Sequence, residues 1–331
     1  MAQLQWINLY TTDPAFNLAA EQYIFDELPR DRAYFMLWQN DNAVIIGKYQ
    51  NTQAEIDEAY VAAHDIKVVR RLSGGGAVYH DLGNLNFTFI ADAGEAEQLN
   101  LRVFCEPIVA ALGKLGITAE INGRNDMTID GKKFSGNAQY MRRGRIMHHG
   151  TIMFHSDLSV LTNALRPDPS KLGSKGMKSV RSRVTNICDY APDGTTLDDF
   201  RQLLIREIAE KNGGTEYVLT EADIARIEQI RDMRYALWDW NYGKSPAGLI
   251  KKSGRIEGCG KLEVSIETEK GLISSVVFRG DFFSTAEPEL LAAKFIGKTA
   301  DEKGYRAAIA GETLSDYFHG IDEEKFLNIL L

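Results

Sequence analysis

The residues with most capacity for chemistry lie in one run, Arg70-Arg71-Leu72-Ser73-Gly74-Gly75-Gly76-Ala77-Val78-Tyr79-His80-Asp81. Three consecutive glycines after a strand-like segment let a backbone approach a ligand closely and present N–H groups to anionic oxygens. Two arginines just upstream of them add planar donor forks suited to a carboxylate or a phosphate. The same composition also suits a tight strand–turn–strand corner with surface arginines, because glycine within strands often marks a bend. Two nucleotide loops are excluded. No Gly-x-x-x-x-Gly-Lys-Ser/Thr occurs, and Tyr79 stands where a dinucleotide fingerprint begun at Gly74 and Gly76 needs its third glycine. A nucleotide bound here is held another way.

A second candidate is Gly131-Lys132-Lys133-Phe134-Ser135-Gly136-Asn137-Ala138-Gln139. Strand alternation places Phe134 on one face and Lys133 with Ser135 on the other. With Phe134 toward a core, Lys133 projects into a cleft or into solvent, and most lysines do the latter. A third, Met147-His148-His149-Gly150-Thr151, invites a metal reading. Adjacent strand residues point to opposite faces, so the two histidines cannot chelate one ion, and no Cys or carboxylate stands at a zinc-like spacing. Ordinary hydrogen-bonding roles fit them better. The fourth is a loop carrying Arg166, Lys171, Lys175, Lys178, Arg181 and Arg183 against a single acid, Asp168, in a chain of net charge −8. Such a loop suits folding over a phosphate-bearing intermediate, and equally suits plain solvation. Neither a Gly-x-Ser-x-Gly elbow nor a His-Glu-x-x-His motif is present.

The elements that must position these residues follow from periodicity. Residues 4–10 alternate as a half-buried strand, and Thr12 or Asp13 caps a helix that opens on Pro14. Strands are expected at 33–39, 43–47, 67–71, 77–80 and 85–91, with a helix at 55–63 between the second and third. Residues 97–115 read as a helix that Pro107 should bend or divide. Asp130-Gly131 marks a hairpin between 127–130 and 132–135, and 145–155 is another strand. Helices follow near 197–211 and 221–235. Beyond Trp238–Pro246, strands at 248–264 and 272–279 and helices near 286–295, 301–310 and 321–330 make a second unit. Strands adjoin as often as they alternate with helices. The expected class is therefore α+β, with a mixed, largely antiparallel sheet and a small α+β C-terminal domain. The division is 1–245 and 246–331.

Composition narrows the function classes. At about 100–200 residues per domain, 331 residues suit two domains. Acids outnumber bases 46 to 38, which argues against a general nucleic-acid binder but leaves room for a local basic pocket. Cys105, Cys188 and Cys259 lie far apart without a CxxC, as expected in a reducing compartment, and Cys105 reads as core. No apolar run approaches the roughly 18 residues of a membrane span, and the N-terminus lacks a secretory pattern. The expected location is the cytoplasm.

Together the motifs RRLSGGGAVYHDLGNLNFTFI at 70–90, GRND at 123–126, KKFSGNAQ at 132–139, HHGT at 148–151, KGMKSVRSRVTNI at 175–187 and WDWNYGKSP at 238–246 resemble those of the lipoate–protein ligases, in the family's order. The C-terminal segment resembles the accessory domain of the two-domain ligases. The resemblance implies a catalytic fold like that of biotin ligases and class II aminoacyl-tRNA synthetases. It also implies two half-reactions: ATP and lipoate give lipoyl-AMP, and the lipoyl group then passes to a lysine of an acceptor domain, in 2-oxoacid dehydrogenase E2 subunits or the glycine-cleavage H protein. By motif position, Lys133 is the catalytic lysine, touching both the lipoyl carboxyl and the α-phosphate. Arg71, Gly76, Ala77, Val78 and Tyr79 are expected at ATP. Arg70, Ser73, Gly74, Gly75 and His149 are expected at lipoate. Lys175, Gly176, Lys178, Ser179, Val180, Arg181 and Arg183 belong to the adenylate-covering loop. Mg²⁺ is expected with ATP, with Asp126 as its candidate ligand. A thioester-forming lipoyl or octanoyl transferase of the same fold is the alternative, and would need a reactive Cys facing Lys133.

Overall fold

The computed structural model of the protein describes residues 3–50, 52–92, 102–122, 126–165, 183–242, 250–269, 272–300 and 302–331. Its strands are β1 Gln3–Asn8, β2 Arg32–Trp38, β3 Ala43–Ile46, β4 Lys67–Arg70, β5 Val78–His80, β6 Asn84–Asp92, β7 Glu120–Asn122, β8 Asp126–Ile129, β9 Lys132–Arg142, β10 Arg145–Met153, β11 Thr215–Glu216, β12 Ile250–Ile256, β13 Gly260–Glu269 and β14 Leu272–Gly280. The helices are α1 Pro14–Asp26, α2 Thr52–Glu55, α3 Glu58–Ala63, α4 Arg102–Gly113, α5 Leu158–Ala164, α6 Leu197–Leu204, α7 Glu221–Ile230, α8 Trp238–Asn241, α9 Pro288–Phe295, α10 Glu302–Ile309, α11 Leu314–Tyr317 and α12 Glu323–Leu330.

The main sheet has the order β11-β1-β2-β6-β10-β9-β8-β7. Only β11-β1 and β1-β2 are parallel; the remaining pairs are antiparallel. Both faces are covered. Tyr34, Met36 and Trp38 of β2 join α1 in one core, while Phe35 and Leu37 join Cys105, Ile108 and Leu112 of α4 in the other. That double covering explains why β2 reads as an almost unbroken apolar run. Helix α1 begins where expected: Asp13 caps it by accepting from the Ala15 N–H, and Pro14 occupies its first turn.

A three-stranded sheet, β4-β3-β5, flanks the main one and carries the glycine-rich turn between β4 and β5. The third sheet, β12-β13-β14, packs on α9, α10 and α12 and forms a small lobe with its own core. The lobes touch at the glycine turn. The Gly75 N–H donates to the Phe282 carbonyl (3.2 Å), Tyr49 stacks on Phe282 (4.5 Å, 14°), and Lys48 pairs with Glu287.

Three local expectations are corrected. Of the two effects expected of Pro107, the division does not occur: helix α4 runs through it. The carbonyl that Pro107 leaves without a donor is that of Val103, an exposed residue in the first turn of the helix. The helices begun at 197 and 221 change to π-helical turns at Ile205–Ala209 and Arg231–Tyr235, which hydropathy spacing does not distinguish. The short strands β7 and β11 were absent from the expectation, being only a few residues long. Among the described residues no helix is long and apolar enough to cross a membrane.

Candidate functional site

A cavity of about 500 Å³ opens over the α1-facing side of the main sheet. Pairing fixes its floor. Trp38 on β2 faces Asn86 on β6, Asn86 faces Thr151 on β10, and the Thr151 hydroxyl accepts from the Gly136 N–H of β9 (3.2 Å). Gly136 in turn faces Asp126 on β8. One row thus crosses five strands, about 4.8 Å apart. It ends at Trp38, beside Leu18 and Ile45, on one side, and at Asp126 and Lys133 on the other.

Lys133 reaches this floor through a β-bulge. Register shifts between Met127 and Thr128, so that Met127 faces Ser135 and Thr128 faces Lys133. The extra residue changes the phase of β9. Lys133 therefore shares the cavity face with Gly136 and Ala138, whereas Ser135 bonds to Asn137 on the opposite face and is fully buried. This corrects the alternation reading, which placed Lys133 and Ser135 together. Gly136 leaves the space that the amine occupies: a Cβ there would stand 3.0 Å from Lys133 Nζ. Nζ pairs with Asp126 Oδ1 at 2.7 Å. The Lys133 backbone is tied to the chain leaving the cationic loop, its N–H donating to the Arg183 carbonyl (2.7 Å) and its carbonyl accepting from Thr185 (2.9 Å).

The glycine-rich run divides. Arg71, Gly75, Gly76, Ala77 and Val78 line the cavity; Arg70, Ser73, Gly74 and Tyr79 do not. Arg71 is buried and already committed: Nε donates to Ser73 Oγ, Nη1 to the Ile45 carbonyl and Nη2 to the Gly74 and Gly76 carbonyls. Arg70 is equally engaged, with the carbonyls of Gly47, Gln50, Trp240 and Asn241 and the Thr52 hydroxyl. Burial lowers both guanidinium pKa values to about 10, which still leaves them charged at neutral pH. Two arginines thus hold the turn in shape. The close approach permitted by Gly74 is to the small lobe, since a Cβ there would lie 2.0 Å from the Phe282 carbonyl. Tyr79 points away from the cavity, donating to Asn42 Oδ1 (3.1 Å).

The two histidines face opposite ways. His148 packs against Phe104 and lies 3.8 Å from Cys105 Sγ, in the α4 core. His149 lines the cavity, with Nδ1 on the Glu21 carboxylate (2.9 Å) and Nε2 on Ser73 Oγ (2.6 Å). Glu21, on α1, is almost fully buried and also accepts from Thr88 (2.6 Å), which accepts from the Trp38 indole (2.9 Å). No sequence motif pointed to Glu21, Leu18 or Trp38, and His80, Asn86 and Thr151 lay inside quoted motifs without being assigned a role. One signal was available: Asn84, Asn86 and Thr88 alternate with apolar residues on β6, a pattern that also suits a sheet face turned to solvent. Arg255, Glu257 and Asp281 complete the wall from the small lobe.

None of the three thiols lines this cavity. Burial raises the Cys105 pKa to about 12, Cys259 is fully buried, and Cys188 is exposed and raised by burial and by Asp189. The expected loop residues Lys175, Gly176, Lys178, Ser179, Val180 and Arg181 lie outside the described residues. No cluster of three or more His, Cys, Asp or Glu side chains suits a metal among the described residues. Mg²⁺ nevertheless fits as an ion carried on phosphates, because it needs only one or two carboxylates, and Asp126, Glu257 and Asp281 line the cavity.

The family described as "Lipoyl protein ligase A/B catalytic domain" matches residues 13–209, and "Bacterial lipoate protein ligase C-terminus" matches 245–330. The chain is similar to lipoate-protein ligase LplJ of Bacillus subtilis, 43% identical over 327 residues and 98% of each chain. It is also similar to lipoate–protein ligase 1 of Staphylococcus aureus, 39% identical over 96% of this chain and 97% of that one. Among solved structures it resembles a bipartite lipoate protein ligase from Thermoplasma acidophilum, studied with its E2 lipoyl domain (30% identity, TM-score 0.66, covering 76% of this chain and 100% of that one). It also resembles a lipoate-protein ligase A bound with ATP (28% identity, TM-score 0.62, covering 73% and 98%).

Proposed function

The chain belongs to the lipoate–protein ligase family, and on that premise we propose that it joins lipoate to ATP as lipoyl-AMP and passes the lipoyl group to a lysine of an acceptor domain. One observation carries the reading: Lys133 Nζ lies across Gly136 in the floor of a cavity whose opposite end is formed by Leu18, Trp38 and Ile45. An apolar acid enters with its tail toward Trp38 and its carboxylate toward Lys133. A carboxylate oxygen attacks the α-phosphorus, the bond to the β-phosphate breaks, and pyrophosphate leaves. Negative charge gathers on the α-phosphoryl oxygens in that transition state. A fixed cation there stabilises it more than the ground state. Mg²⁺, when bound with ATP and Asp126, offsets triphosphate charge.

The remaining assignments stand on the same proposal. Residues 76–78 hold ATP through the turn backbone, with Arg71 adding its charge at the cavity wall and Tyr79, whose hydroxyl is turned away to Asn42, serving only as part of that turn, while Ser73, Gly74, Gly75 and His149 shape the lipoate side. Arg70 acts there by bracing the turn from behind. The segment 171–183 covers the adenylate, residues 1–245 activate, and 246–331 form an accessory unit. Acceptors are E2 lipoyl domains and the glycine-cleavage H protein, in the cytoplasm. The absence of a thiol from the cavity wall favours this over a thioester-forming transferase.

Lipoate-dependent exchange of labelled pyrophosphate into ATP tests the proposal. Exchange supports it. Lipoyl transfer from a donor protein without ATP would replace it with the transferase reading.

A further inference from the structure

His80 lines the cavity, is 2% exposed, and has no hydrogen-bond partner on Nε2. Its tautomer follows from the backbone outward. Asn17 Nδ2 bonds to the carbonyls of Thr11 (3.1 Å) and Gln39 (2.7 Å), which only accept, so that atom is the nitrogen. It also meets Asn40 Oδ1 (3.0 Å), which turns Asn40 Nδ2 toward His80 Nδ1 (3.0 Å). Asn86 Nδ2 faces the same nitrogen at 3.4 Å, its own oxygen being occupied by Asn84. Nδ1 therefore accepts, and the ring proton sits on Nε2. Burial, with Arg71 and His149 nearby, lowers the imidazole pKa to about 3, so the ring stays neutral. The Nδ1 side is bound to protein. The Nε2 side does nothing for the fold, and a buried donor left unpaired in a native protein calls for an explanation.

Its place supplies one. His80 stands over the Trp38–Asn86 end of the row, its ring edge-on to Trp38 at 6.1 Å. Lys133 Nζ lies over Gly136, three strands from Trp38 and two from Asn86, a distance of roughly 10–14 Å at ordinary strand spacing. A carboxylate held about 3 Å from Nζ therefore brings the far end of an eight-carbon acid to His80. We propose that His80 is a specificity-determining residue: its Nε2–H donates to a ring sulfur at the dithiolane end of the acyl substrate and so selects it over a plain alkyl chain. Divalent sulfur is a weak acceptor, and its polarisable electrons also suit the edge of the neighbouring indole. A hydrocarbon terminus fills the same space but leaves the N–H unpaired. The inference rests on the lipoate reading of the cavity and adds the discrimination between acids of equal chain length.

The test is binding of lipoate and of octanoate to the full chain, by calorimetry, in wild type and His80→Phe. Wild type should favour lipoate about tenfold, and the variant should bring the two affinities together. In pyrophosphate exchange the loss for lipoate should fall on KM and not on kcat. A nitrogen-resolved histidine spectrum of the wild type needs no variant: lipoate should shift the His80 Nε2–H signal and slow its exchange, and octanoate should do neither. An unchanged preference in folded His80→Phe, or equal spectral responses to the two acids, overturns the assignment of His80 alone. Failure of the wild type to bind either acid overturns the lipoate reading, and this inference with it.

Discussion

Lys133 is held by a carboxylate, a glycine and its own backbone before any substrate arrives. In Lys133→Ala, pyrophosphate exchange should fall at least about 100-fold, the scale for losing one well-placed electrostatic donor. Near-normal exchange in a folded variant would remove the lysine from the mechanism. Two buried imidazoles make a different prediction. Burial holds the pKa of His80 near 3 and that of His148 well below the ordinary value of about 6.5. Below pH 6.5 the unfolded chain takes up protons that the folded one refuses, so stability falls as the pH falls from there toward 3. The urea midpoint should drop between pH 7 and pH 5, and drop less in His80→Gln; equal slopes would contradict the shifted pKa. Sequence motifs made Lys133, His149 and the glycine run legible. Glu21 was not, and of His80 only its place in the run was, because a burial-dependent role leaves no mark on spacing: Glu21 reads as one polar position on an apolar helix.

At the scale of elements, the bulge in β9 decides which residues reach the cavity. Alternation set Phe134 and Lys133 on opposite faces, but it could not foresee the inserted residue that separates Lys133 from Ser135. The two glycines that pave the floor should respond differently to alanine. At Gly150 a Cβ would stand 2.2 Å from Asn137 Oδ1 and 2.6 Å from the Phe87 ring, both confined by the core. Gly150→Ala should cost about 1–3 kcal/mol of stability in urea unfolding. At Gly136 the neighbour is the far end of the Lys133 side chain, which can shift without disturbing the core. Gly136→Ala should remain stable and lose roughly tenfold or more in pyrophosphate exchange, because the amine is displaced. Equal losses of stability in the two variants would contradict this division. The sheet class and most strand positions were readable because both periodicities are strong, whereas β7, β11 and the π turns are too short or too similar to α-helix to register.

At the scale of the whole molecule, the small lobe takes part in the cavity wall and caps the Gly75 N–H with the Phe282 carbonyl. On the proposed function, an acceptor domain brings its lysine to the same place. The account therefore expects the adenylate, and not lipoate alone, to loosen the contacts of Tyr49 with Phe282 and of Lys48 with Glu287, while protecting residues 171–183. Gly243, Ser245 and Pro246, which the sequence places between the two units, lie outside the described residues. Hydrogen exchange checks this: deprotection of the Gly75 amide together with protection of 171–183 is expected on adenylate binding, and the full response to lipoate alone would refute it.

The central claim is that a carboxylate oxygen of the acid becomes bonded to the α-phosphorus of ATP. The most direct measurement uses lipoate labelled with heavy oxygen in its carboxylate, with ATP and an acceptor lipoyl domain, and follows the label by mass spectrometry. When the acyl group passes to lysine, one labelled oxygen should remain on the phosphate of AMP. Label appearing in ADP or inorganic phosphate, or acyl transfer that leaves AMP unlabelled, would contradict the account.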